Sequence, residues 1–228
     1  MKILLIMPKF FNYPETIQMG LRNLGHDVKW VDDRPSNDPF TKALVRVNKE
    51  VLSRPIDRYF ESVRHDAEEA QYDLVLVVSG QSLSFGKEHL LTLRCVIPNA
   101  RFVLYQWDAV ENYPHVLSVL DCFDEAYTFD ERDSRLYRME FLPLFYHPGY
   151  QAIGRRSKAK IEADYDVAFI GTAHPKKYGF VQEVVEQCEG LLDRKYIYHF
   201  PLGCSTQGTS CYLRTTGGLP ILSSISMP

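Results

Sequence analysis

No apolar run in this 228-residue chain approaches the roughly 18 residues that crossing a bilayer requires. At most a peripheral membrane association is therefore expected. The opening Met1 to Met7 is apolar, but Pro8-Lys9 ends it too early for a signal-peptide core, and no small-residue cleavage site follows. It reads as a buried first strand, and a cytoplasmic location is expected. Charge of either sign is not in excess: 26 basic against 29 acidic side chains leaves −3. That balance predicts neither a sequence-independent nucleic-acid binder nor a strongly basic membrane-surface protein. Cys95, Cys122, Cys188, Cys204 and Cys211 form no C-x-x-C pair. Neither a zinc site nor a disulfide framework is expected from them. Also missing are the G-x-G-x-x-G dinucleotide fingerprint, the Walker A sequence and the G-x-S-x-G nucleophile elbow. These absences disfavour nicotinamide dehydrogenases, P-loop enzymes and serine hydrolases.

What is present is a strand–helix rhythm. Ile3 to Met7 is a short continuous apolar run, as expected of a strand covered on both faces. Ile17, Leu21 and Leu24 mark one helix face, Gly25 is placed to end that helix, and His26 to Val31 alternates like a second strand. Further strands are expected at Tyr72 to Val78, Arg101 to Tyr105, Glu125 to Phe129 and Glu140 to Leu144. Helices are expected over 40–70, 88–96, 114–120 and after Asp130, which can cap its helix while Asp133 favours the positive amino end. Such alternation demands a mostly parallel sheet with helices on both faces. The fold class is therefore α/β: a Rossmann-like domain over 1–150, a basic linker over 151–164, and the start of a second Rossmann-like domain over 165–200. Residues 201–228 are rich in Ser, Thr, Gly and Pro, contain no Asp or Glu, and read as an irregular tail. The second βαβ unit cannot bury both faces alone, so an early or altered end to a longer protein is the favoured explanation.

Open parallel sheets bind ligands at the carboxyl ends of their strands. The richest such segment is Tyr105 to Tyr113. There Trp107 offers a flat apolar face, Asn112 a hydroxyl partner, and Asp108 a general base if an acceptor hydroxyl lies near. Asp108 as a helix cap and Trp107 as simple packing are the competing explanation. Gln81 follows the Tyr72 to Val78 strand, and Tyr13 lies in the first strand–helix loop. In the second unit Gly171, Thr172, Lys176 and Lys177 follow a strand and open a helix, an arrangement suited to a diphosphate. A solvated basic loop explains the same residues.

The segments KILLI, LGHDV, YDLVLVVSG, YQWDAVENYP, FDEAYTFDERDS, FLPLFYHP and DVAFIGTAHPKKY resemble bacterial GT-B-fold glycosyltransferases. The resemblance is to those of lipopolysaccharide or capsule biosynthesis and to CgeB-like spore-coat proteins. It implies sugar transfer from a nucleotide-sugar donor to a glycan or lipid-linked acceptor across a cleft between two domains, with no metal or other cofactor. It places Tyr13, Gln81, Trp107, Asn112 and Asp108 on the acceptor side, and Gly171, Thr172, Lys176 and Lys177 near the donor diphosphate. The acidic pair that grips the donor has no counterpart in 201–228, so weak or no transferase activity is expected. A non-catalytic nucleotide- or partner-binding module is the alternative. A flavodoxin-like regulator would need a reactive acidic pocket at the sheet edge, for which no sequence signal stands out.

Overall fold

The computed structural model describes residues 1–34, 53–79, 84–146, 148–151, 167–172, 175–188 and 195–200. Two compact units divide the chain, Met1–Ala152 and Ile153–Pro228.

In the first unit the elements run β1 (Lys2–Ile6), α1 (Tyr13–Asn23), β2 (Asp27–Val31), α2 (Ser53–Ala70) and β3 (Leu74–Ser79). They continue with α3 (Lys87–Val96), β4 (Arg101–Gln106), β5 (Glu125–Thr128), α4 (Glu131–Leu136) and β6 (Glu140–Phe141). The six strands form one parallel sheet in the order β2-β1-β3-β4-β5-β6. The unit is thus an α/β, Rossmann-like parallel sheet flanked by helices, with the strand order of flavodoxin-type doubly wound sheets.

Side-chain alternation sends Leu4, Ile6, Val75, Val77, Phe102, Leu104 and Ala126 to one face, where Ile56, Phe60 and Val63 of α2 and Leu90 and Leu93 of α3 close the larger core. The other face buries Ile3, Leu5, Met7, Val28 and Val78 beneath Tyr13, Ile17 and Leu21 of α1. Burial of β1 on both faces accounts for its unbroken apolar run. Gly25 adopts φ +85°, the left-handed conformation expected of the residue that stops α1, and its N–H bonds to the Arg22 carbonyl at 2.9 Å.

Two expectations change in detail. The helix at 114–120 is a pair of 3-10 turns, Pro114–Ser118 and Leu120–Cys122. The strand expected to reach Leu144 pairs only through Glu140 and Phe141, because Pro143 carries no N–H for a longer ladder. The helix expected over 40–70 is described from Ser53 onward, and residues 40–52 lie outside the described residues.

The second unit contributes β7 (Val167–Thr172), α5 (Pro175–Gln187) and β8 (Lys195–Phe200), with the two strands parallel over their whole length. Residues 201–228 lie outside the described residues. No described helix is long and apolar enough to cross a membrane.

Candidate functional site

The crossover direction reverses between β1 and β3, since β2 lies on one side of β1 and every later strand on the other. That switch point opens a crevice at the carboxyl ends of the strands. The chain leaving β1 enters it as Pro8-Lys9-Phe10-Phe11-Asn12. Phe11 takes φ 48°, a conformation that costs a β-carbon-bearing residue on the order of 1 kcal/mol. The bend leaves Phe10 and Phe11 exposed at the rim, with ring centroids 4.7 Å apart.

Tyr13 and Trp107, nominated separately from the sequence, meet there edge to face at 5.7 Å. Phe145 joins both, 5.5 Å from Tyr13 and 5.6 Å from Trp107, and Phe10 packs on Tyr13 at 5.7 Å. Tyr105 donates its hydroxyl hydrogen to the Pro143 carbonyl at 2.9 Å, tying the segment that carries Phe145 to β4. The result is an aromatic wall built from three separate stretches of chain. Each such ring pair contributes about 0.5–1.5 kcal/mol beyond its buried area. The Trp107 indole N–H is buried and meets no acceptor among the described residues.

The acids on this edge divide by what they already hold. Asp130 caps α4, accepting from the Arg132 and Asp133 N–H groups at 2.7 and 3.2 Å. Asp133 is buried and accepts from the Val110 N–H at 2.7 Å, fixing the loop after β4. Asp32 accepts from the N–H groups of Lys9 and Arg34. Asp108 differs: its carboxylate has no hydrogen bond or ion pair with any described residue, and partial burial alone raises its pKa above the ordinary aspartate value. Its backbone carbonyl accepts from Gln106 Nε2 at 3.0 Å. The cations nearby are already paired, Lys9 with Glu15 and Arg34 with Asp32 and Asp33.

Sequence reasoning missed Asp33. It is 1% exposed and accepts from the Ser84 N–H at 3.4 Å, while its Oδ1 lies 3.3 Å from Arg34 Nε. Burial pushes its pKa up to about 7, with the Arg34 charge opposing and Asp32 adding to the rise. Tyr59, whose hydroxyl donates to the Asp32 carbonyl at 2.9 Å, is pushed up to about 12 by burial and the two aspartates. The available signal was two adjacent acids immediately past a strand, on the edge where ligands sit.

Other nominated residues fare differently. Asn112 sits exposed in a turn, its N–H donating to the Ala109 carbonyl at 3.0 Å. Neighbouring Glu111 faces Arg132 at 3.3 Å. Gln81 lies outside the described residues. Gly171 and Thr172 end β7, and Lys176 and Lys177 occupy the first turn of α5; their side chains lie outside the description. Among the described residues no group of three or more His, Cys, Asp or Glu side chains is arranged to hold a metal ion.

A depression of about 410 Å³ lies at the opposite end of the sheet among Lys2, Asp27, Lys29, Asp66 and Tyr72. Its charges are already satisfied: Lys29 pairs with Asp66 at 2.6 Å and Lys2 Nζ donates to the Ala70 carbonyl at 2.7 Å. An open groove of mutually paired charges is a weaker site than the carboxyl edge, despite its size.

No family model matches the chain and no curated protein matches it. Among solved structures it is similar to a response regulator protein from Burkholderia pseudomallei, crystallised with a phosphorylated aspartic acid, calcium ion and citrate. The identity is 11%, the match covers 86% of this chain and 94% of that one, and the TM-score is 0.36. At that score the match carries no chemistry across. It does correct the expectation drawn from resemblance: the structure matched is a response regulator and not a GT-B glycosyltransferase, and neither a family model nor a curated transferase supports the resemblance. The structure supplies a physical reason. In the FDEAYTFDERDS block, Asp124 binds Arg94 and the Phe102 N–H, Asp130 caps a helix and Asp133 holds a loop. Those are duties of any strand–turn–helix, not marks of a family. The sugar-transfer function, its lipopolysaccharide and capsule setting and the nucleotide- or partner-binding alternative are all left without support.

Proposed function

We propose that the first unit binds a small organic cation with a flat apolar body at the carboxyl edge of its sheet. The body lies on Tyr13, Trp107 and Phe145, and the charge meets the Asp108 carboxylate. The observation that carries this reading is the unpartnered, partly desolvated Asp108, one residue from the ring that centres the aromatic wall. An acid with a raised pKa and no internal partner in a cleft is a functional candidate. Aromatic faces favour cations, most strongly where water is excluded. Anions are disfavoured because Lys9 and Arg34 are committed to acids.

Three probes of one shape but different charge test this: phenethylamine, 2-phenylethanol and phenylacetate, followed through the indole N–H resonance of Trp107. The amine is expected to bind at least tenfold more tightly than the carboxylate. Asp108→Asn is expected to cost the amine about tenfold, or about 1.4 kcal/mol, and the alcohol almost nothing. Amine affinity holds at neutral pH and falls as acid protonates Asp108, beginning above the usual aspartate range. Equal amine binding by Asp108→Asn and wild type would sink the proposal.

A further inference from the structure

A second cavity, of about 100 Å³, opens on the opposite face of the sheet where β3 ends and α3 begins. Phe85, Val116 and Val119 make it largely apolar, and Ser79, Gly86 and Lys87 bring polar groups to it. Its volume exceeds several times the roughly 10–15 Å³ that one water needs.

Ser79 is the last residue of β3 and is 2% exposed. Ser79 lines the cavity, and its hydroxyl bonds to no described residue. Beside it in register is Gln106, fully buried, whose Oε1 also lacks a partner. The Gln106 Oε1 is thus a buried polar atom that the described chain leaves unsatisfied, next to a Ser79 hydroxyl with no described partner, and native proteins resolve such atoms with water or ligand. Gly86 is the N-cap of the ten-residue α3 and offers no side-chain oxygen to its first-turn N–H groups; its own N–H is taken by His89 Nδ1 at 3.1 Å. The positive end of that helix is thus open at the cavity. Lys87 is half-exposed and only loosely held, 3.8 Å from Asp121.

We infer that this cavity takes a small monocarboxylate, its short alkyl end against Phe85, Val116 and Val119 and its carboxylate between the Ser79 hydroxyl and the amino end of α3. Lys87 supplies the counter-charge from the rim. The apolar walls and the size favour an acid of four to six heavy atoms (about the 100 Å³ available) over a tetrahedral dianion. The site is separate from the Asp108 edge, and neither proposal depends on the other.

Amide resonances of Ser79, Gly86 and Lys87, recorded during titration with butyrate, 1-butanol or inorganic phosphate at low ionic strength, test the inference. Butyrate is expected to shift all three saturably in the millimolar range, and butanol to leave them in place. Ser79→Val, which removes the hydroxyl and fills the cavity, is expected to weaken butyrate at least tenfold. Lys87→Ala should weaken it about threefold, and Asp108→Asn should not change it. Ser79→Ala, a smaller change, reports on the hydroxyl should the valine variant fail to fold. Shifts that never saturate, undiminished binding by Ser79→Ala, or a preference for phosphate would each overturn the assignment.

Discussion

Replacing Asp33 with Asn is expected to make the protein more stable at pH 8 and no more stable at pH 4. In the native state this carboxyl is held near 7, against 3.8 for the free group, because it is buried. The sign follows from linkage. A raised native pKa means that the unfolded chain releases its proton first, so wild-type stability falls as pH rises from about 4 to about 7 and levels off above. The full loss is about 4 kcal/mol, at roughly 1.4 kcal/mol per pKa unit. Asparagine is nearly isosteric with the protonated acid and does not titrate, so the variant escapes that loss. Arg34 keeps a partner in the variant, since Asp32 stands 3.6 Å away. Acids with depressed pKa values, such as Asp124 beside Arg94, lower stability at acid pH in both proteins and cancel in the difference. Urea unfolding midpoints at pH 4, 6 and 8 provide the check. Curves that run parallel across that range would show that Asp33 is not buried as described.

That acid shows where sequence reading stops. The parallel sheet was legible because strands buried on both faces are written as unbroken apolar runs, as at Ile3 to Met7 and Tyr72 to Val78. The turn at Gly25 was legible because only glycine takes φ +85° without strain. The strand order was not, since right-handed crossovers fix the side on which each helix lies and leave the order open. At the site, Tyr13 and Trp107 were found by looking just past strand ends, and the sheet then brought them together. Phe145 was not found, because its place in the wall depends on the Tyr105 bond to Pro143, 38 residues away. Asp33 reads as part of a solvated loop until Ser84, 51 residues later, folds over it. Asn112 is the converse case: a polar side chain in a rich segment, which the turn leaves exposed. The family resemblance failed on the same ground, because its acidic block is consumed by caps and loop ties that many α/β chains share.

Phe85→Ala is expected to cost about 3–5 kcal/mol, the range for deleting a buried phenyl ring. Phe85 is fully buried and meets Tyr59 at 6.1 Å, Phe60 at 5.4 Å and His89 at 5.8 Å, so its ring joins α2 to α3. It also forms a wall of the 100 Å³ cavity, so the lost ring enlarges an existing void that the surroundings are poorly placed to close. Phe141, 47% exposed, is the control, and its change to alanine should alter stability by less than about 0.5 kcal/mol. A second consequence separates packing from coincidence. Ser84, next in the chain, covers Asp33, so loosening Phe85 admits water to that carboxyl and lets its pKa fall toward 3.8. The Phe85→Ala protein should therefore show a smaller loss of stability between pH 4 and 8 than wild type. Adding Asp33→Asn to it should gain less at pH 8 than the same change gains alone, since residues sharing one packed cluster do not act additively. Full additivity in that double-mutant cycle would mean that the loop carrying Ser84 is held in place by something other than the ring beside it.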